Sequence, residues 1–425
     1  MTMSKQHLQP PRGTHDQLPQ QAARFRYIEE TALHLFQQYG FGEIRTPMFE
    51  FTEVFSRNVG DTTDIVTKEM YTFEDRGGES MTLRPEGTAP VVRAFYANGM
   101  KQQLPLKLCY VGTPMFRYER PQKGRLRQHH QVGAEIFGIA DAMADVELLA
   151  MAFRMLKTLR IGGDDLYVQL NSLGTAADRM AYRDALVAYL TPFQDQLSEE
   201  SRQRLARNPM RILDSKDSTD QALVAKAPKI VDCLCAESKA HFEAVQAGLD
   251  AMGIRWQLNT NLVRGLDYYT HTVFEIHSPD LGAQSQVVSG GRYNGLIGQM
   301  GGEDVPAIGF GCGVERLEAL MPELPAEAQP VALVALGSEA QLAALRLAEQ
   351  LRDEGLVVHS PLQDGSFKAQ FKRANRVAAR FTVVIGEDEL KNGVYTLKDM
   401  ATGTQSNVPA DQLPDVLAEQ LKTCG

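Results

Sequence analysis

No stretch of this sequence approaches the ~20 apolar residues that a helix needs to span a bilayer, so no membrane-embedded segment is expected. The first residues, MTMSKQHLQPPRGTHDQLP, contain no apolar core of the kind a secretory leader requires. Cysteine is scarce: Cys109, Cys233, Cys235, Cys312 and Cys424 are the only five in 425 residues. None stands in a CxxC pair, and Cys233-Leu-Cys235 has no second pair or nearby histidine to complete a zinc site. A disulfide scaffold and a structural zinc site are set aside, and a cytoplasmic protein with reduced thiols is expected. Positive charge is also in deficit, with 44 Lys and Arg against 53 Asp and Glu and a formal net charge of −9. That balance argues against sequence-blind coating of nucleic acid but allows a local basic patch that binds RNA selectively. What is present, 43% hydrophobic and 23% charged residues, is the composition of a globular protein. The length exceeds one ordinary hydrophobic core, so two or three domains are expected.

Phe25, Ile28, Ala32, Leu35 and Tyr39 recur at steps of three and four, predicting an amphipathic helix over 21–39 that Gly40 ends. EIRTPMFEF then reads as a strand interrupted at Pro47. A second helix is expected over 141–160, capped by Asp141 and burying Val146, Leu149, Ala150, Phe153 and Leu156. LYVQLNSLG (166–174) reads as a strand closing on a glycine turn. From 175 to 255 the texture becomes charged and helical with no strand signal, which predicts a helical insertion. Strand-like runs return in YTHTVFEI, SQVVSGGRY and PAIGFGCGVERLEAL, the last turning through glycines into a helix. MPELPAEAQP (321–330) is the clearest linker. Beyond it come VALVALG, a helix near 339–354, GLVVHS, a basic helix near 367–379, FTVVIG, and a hairpin through Lys391-Asn392-Gly393. Alternating strands and helices there predict a small α/β domain.

The cations concentrate in MFRYERPQKGRLRQHHQVGAE (115–135), where Arg117, Arg120, Lys123, Arg125 and Arg127 lie around a hairpin tip between two expected strands. Arginine suits phosphate because its planar fork gives two parallel charge-assisted hydrogen bonds; a solvated basic loop is the plainer alternative. TLRPEGT sets Arg84, Glu86, Gly87 and Thr88 at a strand-to-helix turn, where carboxylate and hydroxyl could bind an ammonium group or simply cap a helix. Arg264 stands at a glycine turn before Asp267, Tyr268 and Tyr269. SGGRYNGL adds a glycine-rich turn with Arg292 and Tyr293, where backbone can approach a ligand closely. GFGCGVERL leads into a helix bearing Arg316, without a P-loop lysine or a dinucleotide fingerprint.

The order of these elements resembles that of bacterial-type histidyl-tRNA synthetases, a class II synthetase family, from about Pro11 to near the C-terminus. The helix over 21–39 with GFGEIRTPMFE is similar to class II motif 1, GTPMFRYERPQKGRLRQHHQVGAE to motif 2 and AIGFGCGVERL to motif 3. LVRGLDYY and SGGRYNGL resemble the two histidine-specific signatures, and RPEGT fits as well. The resemblance implies an α/β (α+β) catalytic core, with a class II antiparallel sheet flanked by helices. That core would be split into 1–174 and 256–325 by a helical insertion at 175–255, and an α/β anticodon-binding domain would follow at 331–425.

It further implies ATP-dependent activation of L-histidine and transfer to histidine tRNA by a cytoplasmic homodimer, with Mg2+ bound alongside ATP and motif 1 at the interface. Arg117 would contact the α-phosphate and the amino-acid carboxylate, Arg125 the outer phosphates, and Arg316 the adenine and γ-phosphate. Glu86, Thr88 and Gln131, beside Gly87, would hold the α-amino group. Glu135, Tyr268 and Tyr269 would read the imidazole, and Tyr293 would close the pocket. Arg264 would serve beside the α-phosphate where other class II enzymes use a metal. Arg120, Gln122 and Lys123 would meet the tRNA acceptor end, and Lys368, Lys372 and Arg376 the anticodon stem. The sequence departs from the family at His129, where Phe usually packs on adenine, so weaker ATP binding is expected. Two rival readings are the regulatory subunit of ATP phosphoribosyltransferase, a silent paralogue, and a class II synthetase for another amino acid. The retained Arg117, Arg264 and Arg316 and the C-terminal domain oppose the first; LVRGLDYY with Glu135 opposes the second.

Overall fold

The computed structural model describes residues 8–59, 65–121, 125–264, 266–279, 285–324, 329–362 and 365–422. The chain forms two compact units, residues 1–322 and 323–425.

In the first unit the helix Pro19–Gln38 begins on a proline at its first turn, where the missing N–H costs nothing. It buries Phe25, Ile28, Ala32, Leu35 and Phe36. Phe36 takes the place expected for Tyr39, because the helix stops one residue before that tyrosine and Gly40 turns the chain at φ +80°. The strand expected through Pro47 becomes two, β1 (Gly42–Glu43) and β2 (Phe49–Phe51), in different sheets. Proline offers no N–H to a ladder, and Arg84 fills the break by donating to the carbonyls of Thr46 and Pro47 and, from Nε, to that of Pro114.

With β3 (Tyr71–Glu74) and β4 (Ser80–Leu83), β2 makes a small antiparallel sheet in the order β2-β4-β3. The main sheet also takes β5 (Leu106–Phe116), β6 (Gln128–Phe137), β7 (Tyr167–Ser172), β8 (Trp256–Leu258), β9 (Thr270–His277), β10 (Gln286–Arg292) and β11 (Ala307–Gly313). Its order is β1-β5-β6-β11-β10-β9-β7-β8, antiparallel except where β1 meets β5 and β7 meets β8. Helix Met143–Thr158 is buried on most of its circumference, and Asp141 accepts from the Met143 N–H at its start. Between β7 and β8 the chain is helical, and Tyr182, Leu186, Leu190 and Ile212 join the same hydrophobic core as Val273 and Tyr293 of the sheet region. One core therefore fixes both the helical segment and the strands that bear the site.

The second unit packs helices on β12 (Val331–Ala335), β13 (Val358–His359), β14 (Phe381–Ile385), β15 (Val394–Asp399) and β16 (Gln405–Pro409), in the order β13-β12-β14-β15-β16. Lys391-Asn392-Gly393 is not the expected hairpin. Glu387–Asn392 is a short helix, and Gly393 at φ +65° terminates it before β15. Three acidic residues in its first turn favour the helix.

Candidate active site

β5 and β6 pair along most of their length, and β6 in turn pairs with β11, which pairs with β10. Side chains on one face of these strands gather over a short distance with the turn before helix Thr88–Ala97. Glu135 on β6 is fully buried. It accepts from the Thr88 hydroxyl at 2.8 Å and from the Tyr293 hydroxyl at 2.5 Å. Glu86 is also buried and accepts the Thr88 and Ala89 N–H groups, both at 2.7 Å, with the Tyr268 hydroxyl at 3.5 Å. Neither carboxylate has a cation in salt-bridge contact among the described residues. Burial pushes Glu135 up to about 8 against the pull of its two hydroxyl partners, and burial likewise raises Glu86, opposed by the two N–H groups and by Arg117.

Aromatic rings wall this pair of acids. Tyr268 lies against Tyr269 at 4.7 Å and edge-on to Tyr293 at 5.8 Å between ring centroids. Burial holds Tyr110, Tyr268 and Tyr293 well above ordinary phenol values, so all three stay neutral donors. Glycines make the room. A Cβ on Gly309, the β11 partner of Glu135, would fall 1.6 Å from its Oε2, and one on Gly133 would fall 2.3 Å from the Tyr110 ring. Gln131 Oε1 and the Tyr110 hydroxyl flank the space over Gly311, at 3.7 and 3.6 Å from where its Cβ would be.

The cations stand beside the acids. Arg117 donates from Nε to the Pro85 carbonyl at 2.8 Å, which holds it at the Glu86 turn. Arg264 pairs with Glu275 at 2.5 Å beside the Tyr269 ring, and its Nε is buried with no acceptor among the described residues. Arg316 donates to the Gln286 carbonyl at 2.6 Å, and its pKa is lowered by burial and then by the Arg125 charge. Arg125 is more than half exposed, its guanidinium 3.9 Å from Glu119. His129 is driven down to about 3, first by burial and then by Arg117, His130 and Arg316, so its ring is neutral at physiological pH. Arg120 is exposed on the hairpin, while Gln122 and Lys123 lie outside the described residues.

Not every cation of the pattern belongs to this cluster. Arg292 is fully buried against Asp145, with further donation to the Ile139 and Asp141 carbonyls. Arg84 staples the break at Pro47, and Arg127 stacks on Tyr118 at 4.3 Å. Tyr110, Glu275 and His277 were not singled out from the sequence. A basin of about 780 Å3 lined by Tyr167, Asp250, Arg255 and Trp256 holds none of the clustered side chains. It lacks both the buried acids and the arginine row, so the chemistry marks the cluster rather than the basin.

Two compartments result: a closed, tyrosine-walled pair of carboxylates suited to a small cationic or N–H-rich group, and an adjoining arginine row suited to phosphates.

The family model described as histidyl-tRNA synthetase matches residues 13–317, and one described as anticodon binding domain matches residues 330–420. A histidine–tRNA ligase of Rhodospirillum rubrum is 50% identical over 415 residues, covering 97% of this chain and 99% of the relative. One of Streptococcus equi subsp. zooepidemicus is 47% identical, covering 98% and 99%. The crystal structure of apo S. aureus histidyl-tRNA synthetase superposes with a TM-score of 0.81 at 37% identity, covering 97% of this chain and all of that one.

Proposed function

We infer how the site divides its work from one premise: this chain belongs to the histidyl-tRNA synthetase family. Its activity is that of a histidine–tRNA ligase: it activates L-histidine with ATP to the adenylate and passes the histidyl group to tRNA, releasing AMP and diphosphate. The observation that carries the site assignment is Glu135, a fully buried carboxyl group whose side-chain partners among the described residues are two hydroxyls. An imidazole N–H supplies the charge-matched donor it lacks, whereas an amino acid without that N–H would leave the carboxylate short of a partner.

Glu86, with Gly87 and Thr88 at its turn and Gln131 opposite, receives the α-amino group. Tyr268 and Tyr269 flank the imidazole, and Tyr293 closes the pocket by holding Glu135. Arg117 spans the histidine carboxylate and the α-phosphate. Arg264 is the catalytic cation on the other side, its Nε, without an acceptor among the described residues, available to a phosphate oxygen. Histidine attacks the α-phosphorus in line, and charge gathering on the five-coordinate phosphorus is stabilised by these two fixed guanidiniums. Arg125 and Arg316 take the outer phosphates, with the neutral His129 ring stacked on adenine. Among the described residues no three acidic, histidine or cysteine side chains converge as a metal cage. Magnesium brought with ATP would be held largely by phosphate oxygens and water, and no step here depends on it.

The segment 175–255 is a helical insertion between the catalytic parts 1–174 and 256–325, and 331–425 is the anticodon domain. There, Lys368, Lys372 and Arg376 line the exposed face of helix Phe367–Arg376, opposite its buried Gln370 and Ala374. Arg120, Gln122 and Lys123 meet the acceptor end. The working form is a homodimer: on β2 the two phenylalanines Phe49 and Phe51 face outward, while Glu50 between them is buried against Arg93. Such inverted polarity needs a covering surface. No helix among the described residues is long and apolar enough to cross a membrane, and we place the protein in the cytoplasm on the free thiols of Cys109, Cys233, Cys235 and Cys312.

The test is ATP-dependent formation of the histidyl ester on histidine tRNA by the purified chain. Charging is expected, and Arg120→Ala should slow it without slowing adenylate formation. A folded protein that charges no histidine tRNA would overturn the reading, and equal damage to both steps by Arg120→Ala would remove the hairpin assignment.

A further inference from the structure

We propose that His277 is a positioning residue for adenylate formation: together with Ser285 it locks Glu275, and Glu275 locks Arg264. The proposal rests on the catalytic role of Arg264 given above. Glu275 and His277 are two residues apart on β9, so their side chains leave the strand on the same face. Glu275 divides its oxygens between two partners. Oε1 meets Arg264 Nη1 at 2.5 Å, and Oε2 meets His277 Nε2 at 3.1 Å. The other ring nitrogen of His277, Nδ1, lies 2.7 Å from the Ser285 hydroxyl. Tyr167 of β7 stacks on the imidazole at 5.5 Å with the planes 23° apart, which prevents the ring from turning over.

One assignment of protons satisfies the whole chain. Ser285 donates to Nδ1, which leaves the proton on Nε2, and Nε2 donates to Glu275. Glu275 is lowered from its ordinary value although burial opposes this; the His277 hydrogen bond and the Arg264 charge prevail. The carboxylate is thus ionised and held at both oxygens. Glu275 thus engages Arg264 through Nη1, and Nε stays free of acceptors among the described residues. Without His277, Glu275 could rotate and take a second guanidinium nitrogen. Arg264 would then be tied to its own carboxylate rather than presented to an incoming oxygen. A displacement of about 1 Å at such a group is enough to cost up to ~100-fold in rate.

The experiment compares histidine-dependent ATP–pyrophosphate exchange by the full chain and its variants, with folding followed by circular dichroism. For His277→Ala we expect kcat to fall about tenfold with KM for histidine within about twofold, the mark of an interaction made in the transition state. His277→Gln should recover most of kcat, because its amide N–H2 falls where Nε2 stands. Ser285→Ala should shift kcat in the same direction by less. In an Arg264→Ala background, His277→Ala should cost nothing further. A folded His277→Ala with kcat within about twofold of wild type, or equal losses in Ala and Gln, would overturn the proposal. If His277→Ala does not fold, an unchanged kcat in Ser285→Ala overturns it instead. If Arg264→Ala itself exchanges normally, the catalytic reading of Arg264 fails and the proposal falls with it. An inactive Arg264→Ala beside a normal His277→Ala removes the proposal alone.

Discussion

At the scale of single residues, the ligand-free fold resists ionisation of Glu135. Ionising a carboxyl in a closed apolar wall is costly, and two hydroxyls offset only part of that cost. Its pKa in the fold, about 8, stands above the ordinary 4.5. Stability contributed by its protonated form is therefore complete below about pH 4.5 and lost as the pH rises through about 8. Glu135→Gln, which stays neutral, should raise the Tm of the ligand-free protein more at about pH 8 than at about pH 5, while removing histidine-dependent activity. A variant destabilised more at the higher pH would contradict this account of the pocket. The reversed case is His129, whose imidazole burial and neighbouring arginines keep neutral, so it can serve as a flat ring where the family usually has Phe. Glu86, Thr88, Glu135, Tyr268 and Tyr293, which the fold brings together, are singled out in the sequence through the resemblance of their motifs to the synthetase family, because their spacing alone leaves plainer readings open. Tyr110, Glu275 and His277 were not: alternation along a strand becomes a contact only after the strands pair. Arg84 and Arg292 look like site cations in sequence, yet their donors are spent on backbone carbonyls and Asp145.

At the scale of elements, the small sheet β2-β4-β3 exposes Phe49, Phe51 and Phe73, each about half accessible, beside Met48. Against this face a second copy would bury what one chain leaves in water. Phe51→Asp should convert a two-chain species in sedimentation velocity to a one-chain species at micromolar concentration, with the fold retained. A wild-type protein that sediments as a single chain would remove the dimer. Helix Pro19–Gln38, the β5–β6 hairpin and the β11-to-helix turn could all be read from periodicity and glycine placement. The interruption at Pro47 was legible, but its consequence, two strands in separate sheets, depends on the Arg84 staple. The Lys391-Asn392-Gly393 hairpin was misread because Gly393 ends a helix there as readily as it would turn a strand.

For the whole molecule, an acidic chain of net charge −9 binds polyanions by concentrating its cations locally. One row, Arg117, Arg125, Arg264 and Arg316, borders the carboxylate pocket. Another, Lys368, Lys372 and Arg376, lines one helix of the second unit. We propose that the first row serves ATP and the second RNA, so that only the first is needed to make the adenylate. The most direct measurement is therefore ATP–pyrophosphate exchange by the purified protein without tRNA, run separately with each amino acid. Exchange that requires L-histidine and is absent with the others is the predicted result. A folded protein that shows no exchange with L-histidine, or equal exchange with an amino acid lacking a ring N–H, would contradict it.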